Sequence, residues 1–200
     1  MKYYASNEAV DAAKALANHA ILALPTDTVY GIGVQYGDLE DLERLRTFKH
    51  RPETKPIPVL VSDLAMMESI ADLNERARKL AQTMLPGALT LVLPRKKSVP
   101  SEFTNGKDTI AVRIPDQPFL LDIVRALGKP VMLTSANLSG EEPASSAGQV
   151  EKMLPGLDGI ALGDCQILKP STIVDCTSPD LAILRQGSVG KAEIEAALQS

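Results

Sequence analysis

Cysteine, histidine and tryptophan are almost missing from this chain. Its 200 residues include 2 Cys, 2 His and no Trp, and aromatic residues make up 4%. Cys165 and Cys176 are not part of a CxxC pair, which argues against a disulfide framework or a thiolate zinc site. With only His19 and His50, a histidine-based metal centre is nearly excluded too. So few aromatics leave little material for stacking single-stranded bases. Positive charge is not in excess: 21 Lys and Arg stand against 25 Asp and Glu, a net charge of -4. Bulk charge therefore does not hold nucleic acid here, and any anion site must be a local cluster. No stretch approaches the roughly 18–20 apolar residues that span a bilayer. The N-terminus turns acidic by Glu8 before any apolar run, so no signal peptide is expected and the cytoplasm is the expected compartment. The common catalytic signatures are missing as well. There is no GxxxxGK[ST], no usable GxGxxG, no GxSxG and no HExxH.

The composition that remains, 44% apolar and 23% charged, is that of a folded domain and excludes a disordered chain, collagen or a coiled coil. The length fits one domain over residues 1–200, with no repeat, low-complexity segment or linker. Ser6 is placed to cap a first helix with Val10, Ala13, Leu16, Ala17 and Ala20 on one face. The apolar run Ile21–Leu24, ended by Pro25, reads as a buried strand. Asp38, Asp63 and Asn74 mark three helix starts, with further helices over 117–127, 146–154 and 190–198. Strands are predicted at 57–61, 89–93, 109–114, 130–134, 172–175 and 181–184. Helices and strands thus alternate, which predicts an α/β fold: a twisted mixed sheet flanked by helices. Many of the 14 prolines sit at strand ends, where α/β sheets carry their functional loops.

Four segments carry candidate chemistry. Pro25-Thr26-Asp27-Thr28-Val29-Tyr30-Gly31-Ile32-Gly33 follows a buried strand. It reads either as a hydroxyl-rich turn or as a loop of small donors facing a polar ligand, with Gly31 and Gly33 permitting close approach. Arg44, Arg46, Lys49, Arg51 and Lys55 cluster in a net acidic chain. A helix C-terminus accounts for Arg44 and Arg46 and extends to Lys49. It does not account for Arg51 and Lys55, which Pro52 and Pro56 place in a stiff segment suited to polyphosphate. In Thr109–Ile114, period two puts Thr109, Ala111 and Arg113 on one face, and a mid-strand Arg needs an anionic partner. A structural carboxylate and a ligand carboxylate both serve, although no acid within four residues faces Arg113's way. Finally, Ser146 and Gln149 fit a capping box whose amide groups, with the Ser145 hydroxyl, suit a phosphate; taken alone, an ordinary capped helix is the better reading.

Taken together these segments resemble the threonylcarbamoyl-AMP synthase family, with its YrdC-like fold and concave ligand cleft. PTDTVYG, Lys49-His50-Arg51, AVRIP, SANLSG, PSTIVD and the LRxG ending at Gly187 follow the family's order from about Ile21 onward. Leu85 replaces a frequent Trp and Gln186 a frequent Pro, and the length resembles the minimal single-domain type. The resemblance implies a nucleotidyltransferase that joins L-threonine, bicarbonate or CO2, and ATP into threonylcarbamoyl-AMP and pyrophosphate, with Mg2+ on the phosphates. The product would pass to a tRNA threonylcarbamoyltransferase complex that modifies adenosine beside the anticodon, with weak tRNA binding by the chain itself. By matched position, Thr28, Tyr30, Arg113, Thr134 and Ser171 would bind threonine. Lys49 and Arg51 would be catalytic and, with Lys55, Thr109, Ser135, Asn137, Ser145 and Arg185, would bind ATP. No side chain is implied as a metal ligand. Two rival readings are a non-catalytic RNA-binding module and a carbamoyl-adenylate-forming domain of the hydrogenase-maturation type. The acidic net charge counts against the first, and the short chain with 2 Cys against the second.

Overall fold

A computed structural model describes residues 1–50, 56–138, 141–178 and 180–199. Along the chain run β1 (Lys2–Tyr4), α1 (Ala9–Ala17), β2 (Leu22–Leu24), β3 (Gly31–Gln35), α2 (Leu39–Lys49), β4 (Val59–Leu60), α3 (Leu64–Ile70), α4 (Glu75–Met84) and β5 (Leu89–Pro94). A 3-10 turn (Ser101–Thr104) leads to β6 (Thr109–Arg113), α5 (Pro118–Leu127), β7 (Val131–Ser135), α6 (Ala147–Met153), β8 (Gly159–Ala161), β9 (Thr172–Asp175), β10 (Ala182–Arg185) and α7 (Lys191–Gln199). The strands form one mixed sheet in the order β1-β8-β2-β3-β7-β4-β6-β5-β9-β10. The expected α/β architecture is therefore the observed one.

Side-chain alternation divides the core between the two faces of the sheet. Leu22 and Leu24 of β2 and Val131 and Leu133 of β7 pack with Leu16 of α1 and Phe119, Leu120, Ile123 and Val124 of α5. The intervening Ala23 and Met132, with Ile32 and Val34 of β3, pack on the other face with Leu42 and Leu45 of α2 and Leu80 of α4. The helix starts read from sequence carry real caps. Asp38 Oδ1 accepts from the amides of Glu40 and Asp41 at 2.9 and 3.1 Å, and Asp63 and Asn74 each accept from the amide three residues on. Ser6 does not cap α1. The cap position is Glu8, with no side-chain bond to the helix, and Val10 faces solvent.

Three strands escape the sequence reading. β1 and β8 are three residues each, too short for a periodicity, and pair with one another. β3 was read as loop because it begins Gly-Ile-Gly. Both of its glycines are required by a neighbouring strand. A Cβ on Gly31 would lie 2.1 Å from Leu133 Cδ2, and one on Gly33 would lie 2.5 Å from the Met132 carbonyl oxygen. Gly33→Ala is thus expected to lower stability by about 1–3 kcal/mol or more, because the neighbour that must yield is buried backbone. Chemical denaturation of the purified variant reads this directly, and a midpoint equal to wild type would refute it.

His19, Asp38 and Asp41 form a cluster of metal-binding residue types, but Asp41 is already held by His19 Nδ1 (3.0 Å), Gln35 Nε2 (3.1 Å) and Arg44 Nη1 (3.3 Å). Among the described residues no helix is long and apolar enough to cross a membrane.

Candidate active site

The register of the sheet brings eight strands together at one end of their length. Gly31 pairs with Ser135 and with Leu24, Leu60 with Arg113, Leu89 with Thr172, and Arg185 with Ile173. Around these positions opens a cavity of about 420 Å³. Thr28, Arg113, Thr134, Ser135, Asn137, Ser171 and Arg185 all line it, though they span 157 positions of sequence, 28 to 185.

Arg113 sits at the last residue of β6 and is only 5% exposed. Its Nη2 donates to Asp27 Oδ1 at 2.6 Å, its Nη1 to Thr28 Oγ1 at 3.1 Å, and its Nε to the Gly87 carbonyl at 2.8 Å. Burial pulls the guanidinium below its ordinary pKa, and the Asp27 carboxylate pushes it back up. The acid that the strand pattern demanded therefore exists, but it comes from the loop after β2, 86 positions earlier in sequence. That loop is fastened by Thr26, whose Oγ1 accepts from the amides of Thr28 and Val29 and donates to the Val29 carbonyl at 2.7 Å.

Lys49 ends α2, is 2% exposed, and reaches Ser135 at the end of β7, two strands from β6. Its Nζ donates to Asn137 Oδ1 at 2.6 Å, to Ser135 Oγ at 3.2 Å and to the Ser135 carbonyl. Ser135 Oγ also donates to Asn137 Oδ1 at 2.8 Å. The residues of Lys49-His50-Arg51 and Ser135-Ala136-Asn137 thus meet at Lys49, whereas Arg51 and Lys55 lie outside the described residues. The other two cations serve the scaffold: Arg44 donates to the His19 carbonyl, and Arg46 bonds Glu43 and Asn105.

On the far wall Ser171 Oγ is 2.9 Å from Thr90 Oγ1, and Arg185 reaches the Ser171 hydroxyl at 3.1 Å and its carbonyl at 2.8 Å. Tyr30 lines the cavity, but its hydroxyl donates to the Gly163 carbonyl at 2.8 Å and accepts from the Gly163 amide at 3.1 Å. Burial pushes the phenol up to about 12. Its visible task is to hold the segment after β8.

Three expected residues are not among the described lining residues: Lys49, which reaches the lining only through Ser135 and Asn137, and Thr109 and Ser145. Thr109 opens β6 opposite Pro94, so it shares a face with Arg113 but sits roughly 13 Å away at the other end of the strand. Ser145 is spent on Gln149, whose Oε1 accepts from the Ser145 amide at 2.7 Å and its hydroxyl at 3.0 Å. Ser146 caps α6 as expected, accepting from the Gln149 amide at 3.3 Å.

The sequence reading left out Asp27, Thr90, and the exposed rim residues Glu141 and Glu142. Asp27 was findable, because a mid-strand Arg needs an acid and a conspicuous loop offered one. A second, larger depression of about 690 Å³ lies between α2 and the 3-10 turn, but its Arg46 is already engaged by Glu43 and Asn105.

Both cysteines are buried thiols. Burial raises the pKa of each, that of Cys176 to about 11, so neither is a thiolate at neutral pH. We expect wild-type protein to resist iodoacetamide at pH 7.5, and a Cys165→Ser, Cys176→Ser protein to keep its turnover within about twofold. Rapid alkylation with loss of activity would show a thiolate role.

A family model described as telomere recombination (Sua5_yciO_yrdC) matches residues 14–187. The threonylcarbamoyl-AMP synthase of Bacillus subtilis (strain 168) is 34% identical over 194 residues, 94% of this chain and 55% of that protein. The enzyme of the same name from Pyrococcus abyssi is 35% identical, covering 88% of this chain and 52% of that one. The chain therefore spans about half the length of these two curated relatives. Among solved structures, P. abyssi Sua5 complexed with L-threonine superposes with a TM-score of 0.93 at 32% identity, covering 98% of this chain and 60% of that one. E. coli YciO gives 0.84 at 25% identity, covering 96% and 97%.

Proposed function

The chain belongs to the Sua5/YciO/YrdC family, and from that premise we propose that it is an L-threonylcarbamoyladenylate synthase, a nucleotidyltransferase acting on L-threonine, bicarbonate or CO2, and ATP. The observation that carries the reading is a buried arginine at the end of β6 and a buried lysine that ends α2 and bonds Ser135 at the end of β7, two strands away. At ~4.8 Å per strand that is on the order of 10 Å, the span of a small amino acid lying beside a nucleotide phosphate. The L-threonine complex of the P. abyssi relative supports threonine as the amino-acid substrate.

In this reading Arg113 takes the α-carboxylate through N–H groups left over from its bonds to Asp27, Thr28 and Gly87. Thr28, Thr134 and Ser171 surround the amino acid, and Tyr30 shapes that wall from behind. Lys49, with Arg51 and Lys55, takes the triphosphate, while Ser135, Asn137 and Arg185 orient the nucleotide. Thr109 and Ser145 belong to the ATP set only by resemblance. The amine of threonine adds to CO2 and loses a proton, giving a carbamate. A carbamate oxygen then attacks the α-phosphorus, the bond to the β-phosphate breaks, and pyrophosphate leaves. No side-chain nucleophile is required, so alignment and charge stabilisation supply the rate. Magnesium would neutralise phosphate charge; Glu141 and Glu142 are the rim carboxylates able to meet it, as hard oxygen donors directly or through water. The product, a mixed anhydride, would go to a tRNA threonylcarbamoyltransferase complex in the cytoplasm.

Mass spectrometry of a reaction containing ATP, L-threonine and bicarbonate tests this. A threonylcarbamoyl-AMP mass that disappears when any one substrate is omitted is expected. ATP turnover without that adduct, or no turnover, overturns the assignment.

A further inference from the structure

Asp27 is 3% exposed and is not among the residues lining the cavity. One of its oxygens accepts from Arg113 Nη2 at 2.6 Å, and the other is buried without a hydrogen-bond partner among the described residues. Both observations place the carboxylate behind the guanidinium, sealed from any molecule in the cavity. A sealed charge acts on a substrate only through what it touches. We propose that Asp27 is a positioning residue: it fixes the plane of the Arg113 guanidinium so that the remaining N–H groups face a substrate carboxylate. The proposal rests on the reading of Arg113 as the carboxylate-binding residue.

The arrangement has a physical logic. A buried arginine needs a counter-charge. Asp27 supplies one, and the Thr28 hydroxyl and Gly87 carbonyl engage the two other guanidinium nitrogens. Three of the five N–H groups are then committed and one remains on each terminal nitrogen, enough for a two-bond grip on a carboxylate. Rotation about the side chain would spoil that grip, and the Asp27 bond opposes rotation because it is charge-assisted. The other role open to Asp27 predicts the opposite sign. If it were only a nearby negative charge, its removal would strengthen the attraction of Arg113 for an anion. If it orients Arg113, removal weakens binding.

The first test is steady-state kinetics of Asp27→Asn, which keeps the shape and removes the charge. Expected is a rise of roughly tenfold or more in KM for threonine, with kcat and the KM for ATP changed by less than about threefold. In an Arg113→Ala background the same substitution should add nothing to the threonine KM, since it acts through Arg113. An unchanged or lower threonine KM in Asp27→Asn, or additive effects in the double variant, overturns the proposal. A second measurement needs only wild-type protein, in case Asp27→Asn does not fold. Nitrogen-15 NMR of the arginine side chains, without ligand, should show two separate Nη signals for Arg113. A single averaged signal would show a freely rotating guanidinium and refute the inference. Failure of the wild type to bind threonine at all would instead remove the assignment of Arg113.

Discussion

An Arg113→Lys protein is expected to bind L-threonine roughly ten- to a hundredfold more weakly than wild type while holding ATP almost unchanged. Lysine keeps the positive charge and most of the length, so bulk electrostatics predicts little effect. The planar fork is what it lacks. In the wild type three nitrogens are already anchored, to Asp27, Thr28 and Gly87, and the remaining N–H groups are held in one plane by that anchoring. An ammonium has three donors in all. Satisfying the same buried acceptors leaves it nothing to share with a substrate. Calorimetric titration of threonine and ATP into both proteins checks the split. Equal threonine affinity accompanied by a collapse in thermal stability would make Arg113 a scaffold residue and nothing more.

Lys49→Met should have a larger effect on turnover and a small one on stability. Among the described residues the wild-type ammonium donates to Ser135 O, Ser135 Oγ and Asn137 Oδ1. Burying a charge has a desolvation cost, which the proposed contact with phosphate would offset. Methionine has a similar shape without the charge. It frees the protein of the desolvation term but strips donors from Ser135 and Asn137, a loss of about 1–3 kcal/mol. These effects oppose each other, so the unfolding midpoint should move little. The removed charge is the one assigned to the transferring phosphates, and turnover should fall by roughly a hundred- to a thousandfold. Near-normal turnover would detach Lys49 from the chemistry. Lost turnover with gross unfolding would show that the buried charge organises the Ser135-to-Asn137 turn instead.

The sequence alone determined the elements whose signals are local. The caps at Asp38, Asp63 and Asn74 were legible because a cap depends on a side chain and amides two or three residues away. The strands at β5, β6, β7 and β9 were legible because burial repeats along them. So was the list of polar segments that frame the cavity, since short motifs made of hydroxyls, Arg and Lys stand out in a chain poor in His, Cys and aromatics.

Tertiary structure alone decided what those residues meet. Gly31 and Gly33 suggest close approach to a ligand; Gly31 does line the cavity, and both are also places where β7 crowds β3. Thr109 and Arg113 share a face of β6 by period two, yet periodicity says nothing about which end of a strand reaches a site. The Tyr30 hydroxyl is consumed by Gly163, and the Arg113 counter-charge is Asp27. Each of these pairings joins positions tens of residues apart or more. A residue's neighbours across a sheet are set by strand order and register, which minimise exposed backbone and apolar surface over the whole chain. No local pattern contains that information, so the sequence supplied the chemical groups and the fold chose their partners.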